Sequence, residues 1–378
     1  MKKILITSTD VMMYLFLIPH IKVLANTYNI DVACSGAKEF DSEDYEKKIR
    51  QKLPKNVNYF HISSDREPFS FNNIKGYKEL TLIIKNGGYD MVWTNEPVVG
   101  VITRLASNKF RKNGLKVMYL VHGYHFFKGA PTMNWIFYPV EKLLSYITDI
   151  SVVINWDDFN FAKKHFSDQV VHIDGIGFNS SKFRDTSVDF KLKRQTIGIS
   201  EDEILILSVG ELMTRKNHEV IIKAIAQLDN PKIRYVICGI GPRLEYLERL
   251  TKKLNIIEKV KFLGLRNDVN ELLKVADIFA HPSKREGLGI APLEAMASGL
   301  PIITSNTQGI KDYSENEVTG FCLDCNDISG FAVAISKLSD DKALCKKIGR
   351  HNAETIIKWD IKNSISQVKY IIKNLLNK

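Results

Sequence analysis

Short apolar runs alternate with amphipathic helical patterns along most of this 378-residue chain. Runs of this kind, separated by helices, are typical of parallel β-sheets that are covered on both faces. In the first half we predict strands at Lys3–Thr7, Ile30–Ser35, Met91–Thr94, Lys116–Val121, Ile150–Ile154 and Val170–Ile173. In the second half we predict strands at Ile204–Val209, Ile233–Cys238, Val260–Leu263, Ile278–Ala280, Ile302–Thr304 and Gly320–Leu323. Two such halves predict an α/β protein with two doubly wound domains that bind ligand at the carboxyl ends of their strands.

A turn-rich stretch beginning at Gly175 separates the two halves, and polar, charged residues follow it. We therefore predict domains over 1–183 and 184–354. Residues 355–378 have the apolar spacing of a helix, which we expect to pack back onto the first domain.

The net charge and the cysteine count limit the ligands and the compartment that suit this chain. The chain has 53 Lys and Arg against 43 Asp and Glu, a net charge of +10 that both halves share. Such a field suits anionic ligands or an anionic membrane surface, but no nucleic-acid motif accompanies it. Five cysteines argue against a disulfide framework and for a reducing compartment, and Cys322 and Cys325 are expected to be semi-buried thiols rather than metal ligands.

The opening residues resemble a buried first strand more than a signal peptide, because polar residues 7–10 interrupt the apolar run and no cleavage site follows. The apolar run Val11–Ile18 ends at Pro19 and is too short to span a membrane. We expect no transmembrane helix.

The most specific motif lies in residues 283–301, which follow a predicted strand and open a helix. Its glycines permit close approach of a ligand, and the amides of Gly289 and Ile290 are expected at a helix N-terminus, where a diphosphate binds well. We place Glu286 on the loop and Glu294 on the first helical turn. Two carboxylates so placed would accept hydrogen bonds from hydroxyl groups on different parts of one ligand.

A second candidate phosphate site follows the strand that ends at Gly210. Arg215 and Lys216 precede a helix that Asn217 is expected to cap. Cations at a helix N-terminus oppose its dipole unless an anion lies between them, so this pair points to a phosphate. The alternative is a basic pair on the protein surface.

Two further segments each have two possible interpretations. Gly239-Ile-Gly241 is either a tight turn or a turn that a nucleotide approaches, since the third glycine of a dinucleotide fingerprint is missing. His122 lies at the carboxyl end of a predicted strand, where it is either a ligand-binding residue or part of the core.

Together these segments resemble the retaining nucleotide-sugar glycosyltransferases of family four, which have the GT-B architecture of two Rossmann-like domains facing each other across a cleft. The resemblance covers nearly the whole chain, and the spacing from Glu286 to Glu294 is its most specific part. It implies that 1–183, joined by the helix 355–378, is the acceptor side and that 184–354 binds the donor. Residues 9–20 and 135–142 are similar to bacterial members that build capsule or exopolysaccharide repeats.

The resemblance also implies residue roles. Lys216 would hold the donor diphosphate, Glu286 the sugar hydroxyls and Glu294 the ribose. The amides of Gly289 and Ile290 would meet the phosphates or the sugar.

Gly210, Gly239 and Gly241 would line the nucleotide site, and Leu265 would lie where the base meets the backbone. His122 would contact the sugar from the other domain, so that His122, Lys216 and Glu286 are the expected catalytic residues.

Two departures from the family pattern stand out. Glu211 occupies a position where the family often has arginine, and Arg215 is our candidate for the missing cation. Residues 9–11 replace the usual glycine pair after the first strand.

The predicted function is transfer of a hexose or N-acetylhexosamine, with retention and without a metal or other cofactor. We expect a UDP-sugar donor and a saccharide acceptor on a lipid carrier, as in bacterial surface polysaccharide biosynthesis. The expected location is the cytoplasm or the inner face of the cell membrane. A GT-B epimerase or phosphorylase and a non-catalytic nucleotide-sugar-binding partner remain as alternatives.

One surface patch has two equally weighted interpretations: docking at an anionic membrane, or a solvated helix face next to packed aromatic residues. Its basic residues are Arg104, Lys109, Arg111, Lys112 and Lys116. Its aromatic residues are Phe126, Phe127, Trp135, Phe137, Tyr138 and Tyr146.

Overall fold

The computed structural model describes residues 1–36, 42–127 and 129–377. The chain forms two compact units: the first unit is Met1–Gly177 with Ile361–Lys378, and the second unit is Phe178–Asp360. The second unit was expected over 184–354, so it begins six residues earlier and ends six residues later than predicted. Phe178 pairs with Asp360 in a parallel bridge, and the Ser180 hydroxyl donates to the Asp360 carboxylate at 2.5 Å, so both crossing segments are joined inside the second unit.

The first unit contains a seven-stranded parallel sheet in the order β3-β2-β1-β4-β5-β6-β7. Its strands are β1 (Lys3–Thr9), β2 (Asn29–Ser35), β3 (Asn58–His61), β4 (Met91–Asn95), β5 (Lys116–Val121), β6 (Ile150–Val153) and β7 (Gln169–His172). Its helices up to the crossing are α1 (Asp10–Met12), α2 (Ile18–Leu24), α3 (Ser42–Lys52), α4 (Asn72–Gly87), α5 (Pro97–Arg111), α6 (Phe137–Ser145) and α7 (Trp156–His165). A π-helical segment, Met13–Leu17, joins α1 to α2, and a 3-10 turn, Thr132–Ile136, precedes α6.

The second unit contains a six-stranded parallel sheet in the order β10-β9-β8-β11-β12-β13. Its strands are β8 (Ile204–Val209), β9 (Ile233–Cys238), β10 (Val260–Gly264), β11 (Ile278–His281), β12 (Ile302–Ser305) and β13 (Gly320–Leu323). Its helices are α8 (Ser180–Arg184), α9 (Phe190–Thr196), α10 (His218–Ala226), α11 (Leu244–Lys253), α12 (Val269–Val275), α13 (Ile290–Ala297), α14 (Ile328–Asp340) and α15 (Lys342–Thr355). Its 3-10 turns are Thr214–Lys216, Ile257–Lys259, Gln308–Asp312 and Ile356–Trp359.

These elements confirm the doubly wound α/β prediction and all twelve predicted strands. The prediction did not include β3, an edge strand whose four residues are exposed or half-buried. An edge strand of this kind lacks the apolar run on which the other predictions relied.

The order of the strands reverses once in each sheet. The reversal lies between β1 and β4 in the first unit and between β8 and β11 in the second. In open α/β sheets the loops at the carboxyl ends of such neighbouring strands separate and leave a crevice for ligand. The fold therefore predicts one ligand crevice in each unit.

The last helix, α16 (Ile361–Leu376), belongs to the first unit and packs against α2. The Ser364 hydroxyl donates to the Gly175 carbonyl at 2.9 Å and lies 3.1 Å from Nε2 of His20. Burial lowers the pKa of His20 to about 4, so this histidine is neutral at physiological pH. The packing of α16 thus joins residues 361–376 to α2 in the same unit.

Among the described residues, no helix has the length and hydropathy that crossing a membrane would require.

Candidate active site

Two loops meet where β8 and β11 end, at the crevice of the second unit. The first runs from Gly210 to Asn217, and the second covers residues 282–289. The Lys284 amide donates to the Arg215 carbonyl at 2.8 Å, which ties one loop to the other.

Asn217 reinforces this connection and does not cap α10 with its side chain, so that expectation was wrong. It has a left-handed backbone, φ 58°, and its Nδ2 donates to the carbonyls of Pro282 at 3.1 Å and Cys325 at 2.7 Å. The amide nitrogen can only donate, so it serves carbonyl groups of neighbouring loops rather than the N–H groups of the helix.

Lys216 and Glu286 form an ion pair at the centre of the site. Both side chains are largely buried. Arg215 reaches the same carboxylate at 3.5 Å and also pairs with Glu211. Three of the residues that the sequence singled out, Arg215, Lys216 and Glu286, are thus brought together, and Glu211 holds the arginine in place.

A histidine supports the carboxylate from the other side. Nε2 of His281, at the end of β11, lies 3.3 Å from Glu286 and 3.1 Å from the Ser283 hydroxyl. Burial opposes ionisation of Glu286, but Lys216 and His281 outweigh it and hold the pKa of the carboxyl well below its usual range. Glu286 is therefore a carboxylate at any physiological pH.

Arg285 is a further cation of this loop that was not among the predicted site residues. Burial, and then the neighbouring Arg215, lower the pKa of its guanidinium, while Glu286 raises it. Within the described part of the chain Arg285 forms no ion pair. Its position directly before Glu286, on a loop that the sequence had already singled out, was the available signal, because binding residues are concentrated on loops that a rigid scaffold positions.

The N-terminus of α13 opens beside this cluster. Gly289 precedes the first helical residue, Ile290, and has φ 81°. A Cβ there would lie 3.0 Å from Cγ of Glu286 and 3.1 Å from the Tyr313 hydroxyl. No side chain of a described residue caps this helix, so its first N–H groups have no partner within the helix.

Glu294 lies further along α13 than expected. It is the fifth residue of the helix and so begins the second turn, not the first. Burial raises the pKa of its carboxyl to about 8, and Lys182 opposes this shift. No hydrogen bond among the described residues joins it to the pair of Lys216 and Glu286.

The glycines of the remaining loops are required by close packing. A Cβ on Gly239 would lie 1.9 Å from the Gly210 carbonyl oxygen, and one on Gly241 would lie 2.7 Å from that of Leu212. This contact supports the tight-turn interpretation, and approach of a nucleotide stays a prediction. Leu265 is exposed and follows Gly264, whose carbonyl accepts from the Gly239 amide at 2.8 Å.

His122 lies in the first unit, directly after β5. Its Nε2 is 3.4 Å from the Asn95 side-chain oxygen, and burial lowers the pKa of its imidazole to about 4. It is therefore a neutral hydrogen-bonding group at physiological pH. Its contact with a sugar stays a prediction.

The predicted basic patch is not a continuous surface. Arg104 is fully buried and makes two bonds to the Glu141 carboxylate, at 2.8 and 3.0 Å. Arg111 pairs with Asp149 at 3.0 Å. Lys109 and Lys112 remain exposed on the surface, but Phe126 is buried in an aromatic cluster.

The described residues hold no group of three or more His, Cys, Asp or Glu side chains that could bind a metal ion. Cys322 and Cys325 are half-buried free thiols, as the sequence predicted.

Comparison with known proteins identifies the family. The profile of glycosyl transferases group 1 matches residues 189–355, and that of the glycosyl transferase 4-like proteins matches residues 3–155. The putative glycosyltransferase EpsD of Bacillus subtilis is 33% identical over 375 residues, which is 97% of this chain and 95% of EpsD. This chain is a group 1 glycosyltransferase.

A second relative of this glycosyltransferase has a more explicit name. It is the UDP-Gal:α-D-GlcNAc-diphosphoundecaprenol α-1,3-galactosyltransferase of Escherichia coli. The two proteins are 28% identical over 281 residues, which is 72% of each chain.

Solved structures confirm the GT-B fold of the glycosyltransferase. HepE of Anabaena, crystallised with UDP, superposes with a TM-score of 0.82 at 18% identity, over 99% of this chain and all of HepE. Further HepE crystals contain UDP with glucose, or UDP-glucose.

Proposed function

We propose that this glycosyltransferase transfers a hexose or N-acetylhexosamine from a UDP-sugar to a lipid-linked saccharide, with retention and without a metal ion, in the synthesis of a bacterial surface polysaccharide. The observation that carries the proposal is the charge around Glu286. Three cations, Arg215, Lys216 and Arg285, surround two carboxylates, Glu211 and Glu286, beside the N-terminus of α13.

Departure of a nucleoside diphosphate requires positive charge at the leaving oxygens. Lys216 and Arg215 are paired with carboxylates in the ligand-free protein. An entering diphosphate competes for these cations and also meets Arg285 and the first amides of α13. In this proposal the side chains and the helix terminus provide the electrostatic stabilisation that a divalent ion provides in other transferases.

Glu286 has a separate role in the proposal. Once Lys216 turns to the diphosphate, the Glu286 carboxylate accepts hydrogen bonds from the donor sugar. His281, 3.3 Å from Glu286, still lowers the pKa of this carboxyl, which makes it a weaker base and a weaker nucleophile. This supports attack of the acceptor hydroxyl on the face that the diphosphate leaves, with retention, rather than a covalent intermediate on Glu286.

The choice of donor and acceptor rests on relatives. HepE, which shares the fold, binds UDP and UDP-glucose in its crystals. The galactosyltransferase of Escherichia coli is named for a UDP-sugar donor and a diphosphoundecaprenol-linked acceptor. We extend both properties to this chain as part of the proposal, together with a location at the inner face of the membrane.

A donor screen by thermal shift, in EDTA, tests the proposal with UDP, GDP and their sugars as ligands. We expect stabilisation by UDP and one UDP-sugar, by roughly 2.7 kcal/mol at a hundred times the dissociation constant. Lys216→Met should weaken UDP binding by about 10- to 150-fold, the range for a hydrogen bond to a charged group. Lys253→Met, an exposed lysine on α11, is the matched control.

Each contrary outcome removes a defined part of the proposal. Stabilisation by GDP would overturn the base, and a shift that EDTA abolishes would overturn metal independence. Product formation without acceptor would indicate an epimerase. Binding without turnover on lipid-linked acceptors would favour a non-catalytic nucleotide-sugar-binding partner. The sequence supports that alternative because Glu211 stands where the family often has arginine.

A further inference from the structure

His281 ends strand β11 and reaches the carboxylate of Glu286 from within the sheet. Its Nε2 lies 3.3 Å from Oε1 of Glu286, the same oxygen that pairs with Lys216. Arg215 is on the other oxygen, Oε2, at 3.5 Å. Glu286 therefore has two kinds of partner, cations on a loop and a histidine on a buried strand.

The imidazole of His281 presents an N–H group to this carboxylate. Burial lowers the pKa of the ring, and Glu286 raises it only in part, so the ring is neutral at physiological pH and has one N–H. A carboxylate can only accept hydrogen bonds, so we assign the proton to Nε2. The Ser283 hydroxyl oxygen, 3.1 Å from the same nitrogen, is then a second acceptor for this N–H.

The fold holds His281 in place independently of Lys216. The histidine is only 3% exposed, and its ring is nearly parallel to that of Phe279, which lies on the same face of β11. Lys216 belongs to a 3-10 turn and carries its charge on a flexible four-carbon stem. The histidine is thus the stationary partner of Glu286, and the lysine is the partner that a ligand can draw away.

The space behind Glu286 is also filled. A Cβ on Gly289 would lie 3.0 Å from Cγ of Glu286, 3.1 Å from the Tyr313 hydroxyl and 3.5 Å from Nε2 of His281. The Tyr313 hydroxyl donates to the Leu288 carbonyl at 2.9 Å, which fixes the tyrosine ring. These groups converge on one point, so the Glu286 side chain has little room to leave the histidine.

We propose that His281 is a positioning residue for the transfer reaction: it holds Oε1 of Glu286 after Lys216 has moved to the donor diphosphate, and so keeps Oε2 available to the donor sugar. The inference rests on the proposed function, which assigns Glu286 to the sugar and Lys216 to the diphosphate. A buried carboxylate that lost its lysine without a second partner would be left unpaired, at a large cost in free energy. His281 removes much of this cost and thereby makes Lys216 available to the ligand.

A double-mutant cycle between His281 and Glu286 tests this role in the full chain. The probes are UDP-glucose, UDP-galactose, UDP-N-acetylglucosamine and UDP-N-acetylgalactosamine, and the cycle uses the one that the wild type binds tightest in titration calorimetry. We expect His281→Asn to weaken binding by about tenfold or more, the loss for a hydrogen bond to a charged group. In the Glu286→Ala background, where no carboxylate remains to be held, the same change should cost less than about twofold.

A matched pair of substitutions separates the N–H group from the volume of the ring. A glutamine side chain places an amide nitrogen at the ε position, where Nε2 of the histidine lies, whereas an asparagine ends one bond earlier. His281→Gln should therefore restore most of the affinity that His281→Asn loses. His281→Leu repeats the loss with an apolar side chain that suits a buried strand. Equal losses for Asn and Gln would show that ring volume matters instead, and would overturn the proposal.

His218 provides the control because it is buried in the same unit but bonds elsewhere. Its Nδ1 lies 3.3 Å from the Tyr235 hydroxyl, and its Nε2 lies 3.3 Å from the Glu211 carbonyl oxygen. His218→Asn should have the same effect with and without Glu286→Ala. Coupling as large for His218 as for His281 would indicate general loosening of the unit and would overturn the positioning role.

The same set of proteins distinguishes failure of this inference from failure of the proposed function. If the wild type binds none of the UDP-sugars, or if Glu286→Ala leaves the affinity unchanged, the proposed function is overturned together with the inference. If Glu286→Ala weakens binding but His281→Asn adds its full loss in that background, only the positioning role of His281 is overturned.

Discussion

Glu286 and Glu294 lie eight positions apart but in opposite environments. The first is surrounded by Lys216, Arg215 and His281, which keep it ionised. The second is on α13 where burial dominates, and its pKa rises to about 8. A protonated carboxyl both donates and accepts, so Glu294 meets a ligand hydroxyl in either direction, whereas Glu286 only accepts.

The raised pKa of Glu294 has a measurable effect on stability. Between pH about 4.5 and about 8 the folded protein holds a proton that the unfolded chain has released, so the free energy of unfolding falls as pH rises. We expect the wild-type value to fall relative to that of Glu294→Gln by up to about 1.4 kcal/mol per pH unit. Urea unfolding of both proteins across this range measures the difference, and parallel pH profiles would contradict the pKa shift.

At the scale of secondary structure, α5 and α6 are joined by a buried ion pair. Arg104 donates to both oxygens of Glu141 and stacks on the Tyr119 ring, with 4.0 Å from the guanidinium carbon to the ring centroid. Burial opposes the charge on Arg104, but Glu141 outweighs it and raises the pKa of the guanidinium. The pair therefore connects α5 to α6 inside the first unit.

Removing one partner of this pair should be far worse than removing both. Arg104→Ala leaves Glu141 buried and unpaired, and we expect it to lower the free energy of unfolding by about 3–5 kcal/mol. The double substitution Arg104→Met with Glu141→Leu should recover most of that loss. Denaturant titration of the single and double variants tests this, and equal destabilisation by both would show that packing matters more than charge.

Arg104 also shows what the sequence could not predict. Local spacing placed five cations close together but did not reveal that Glu141, 37 positions away, neutralises one of them. Strands were predicted well where apolar runs mark buried β-structure, and β3 was missed because its two exposed and two half-buried residues form no such run.

The loops of the candidate site were likewise predictable only in part. The strand-to-loop pattern identified Lys216 and Glu286, since each follows a buried strand of one sheet. His281, Arg285 and Asn217 complete the cluster, and their placement depends on side-chain directions that periodicity does not encode.

On the scale of the whole molecule, the first unit is built from two separate stretches of chain. The apolar face of α16 contributes buried Val368, Ile371, Ile372 and Leu375 to it. Burial of each aliphatic side chain contributes about 1.5–3 kcal/mol before the entropy cost of ordering the helix is subtracted, so loss of α16 removes a substantial apolar contribution from the first unit.

Deletion from Ile361 onward should therefore destabilise the first unit selectively. We expect hydrogen exchange to accelerate in Met1–Gly177 and to stay slow in the sheet of Phe178–Asp360, because the latter retains all of its strands. Mass spectrometry of peptic fragments resolves the two regions. Uniform acceleration throughout the chain would mean that the units unfold together.

The discontinuity of the first unit also affects how the protein folds during its synthesis. The ribosome must translate the 183 residues of Phe178–Asp360 before α16 emerges, which takes roughly 10 to 40 s at ordinary rates of synthesis. During that interval the nascent N-terminal segment lacks the helix that covers His20 and α2, while the later unit gains its complete sequence. The first unit is thus completed last, and its apolar face stays uncovered until α16 has been synthesised.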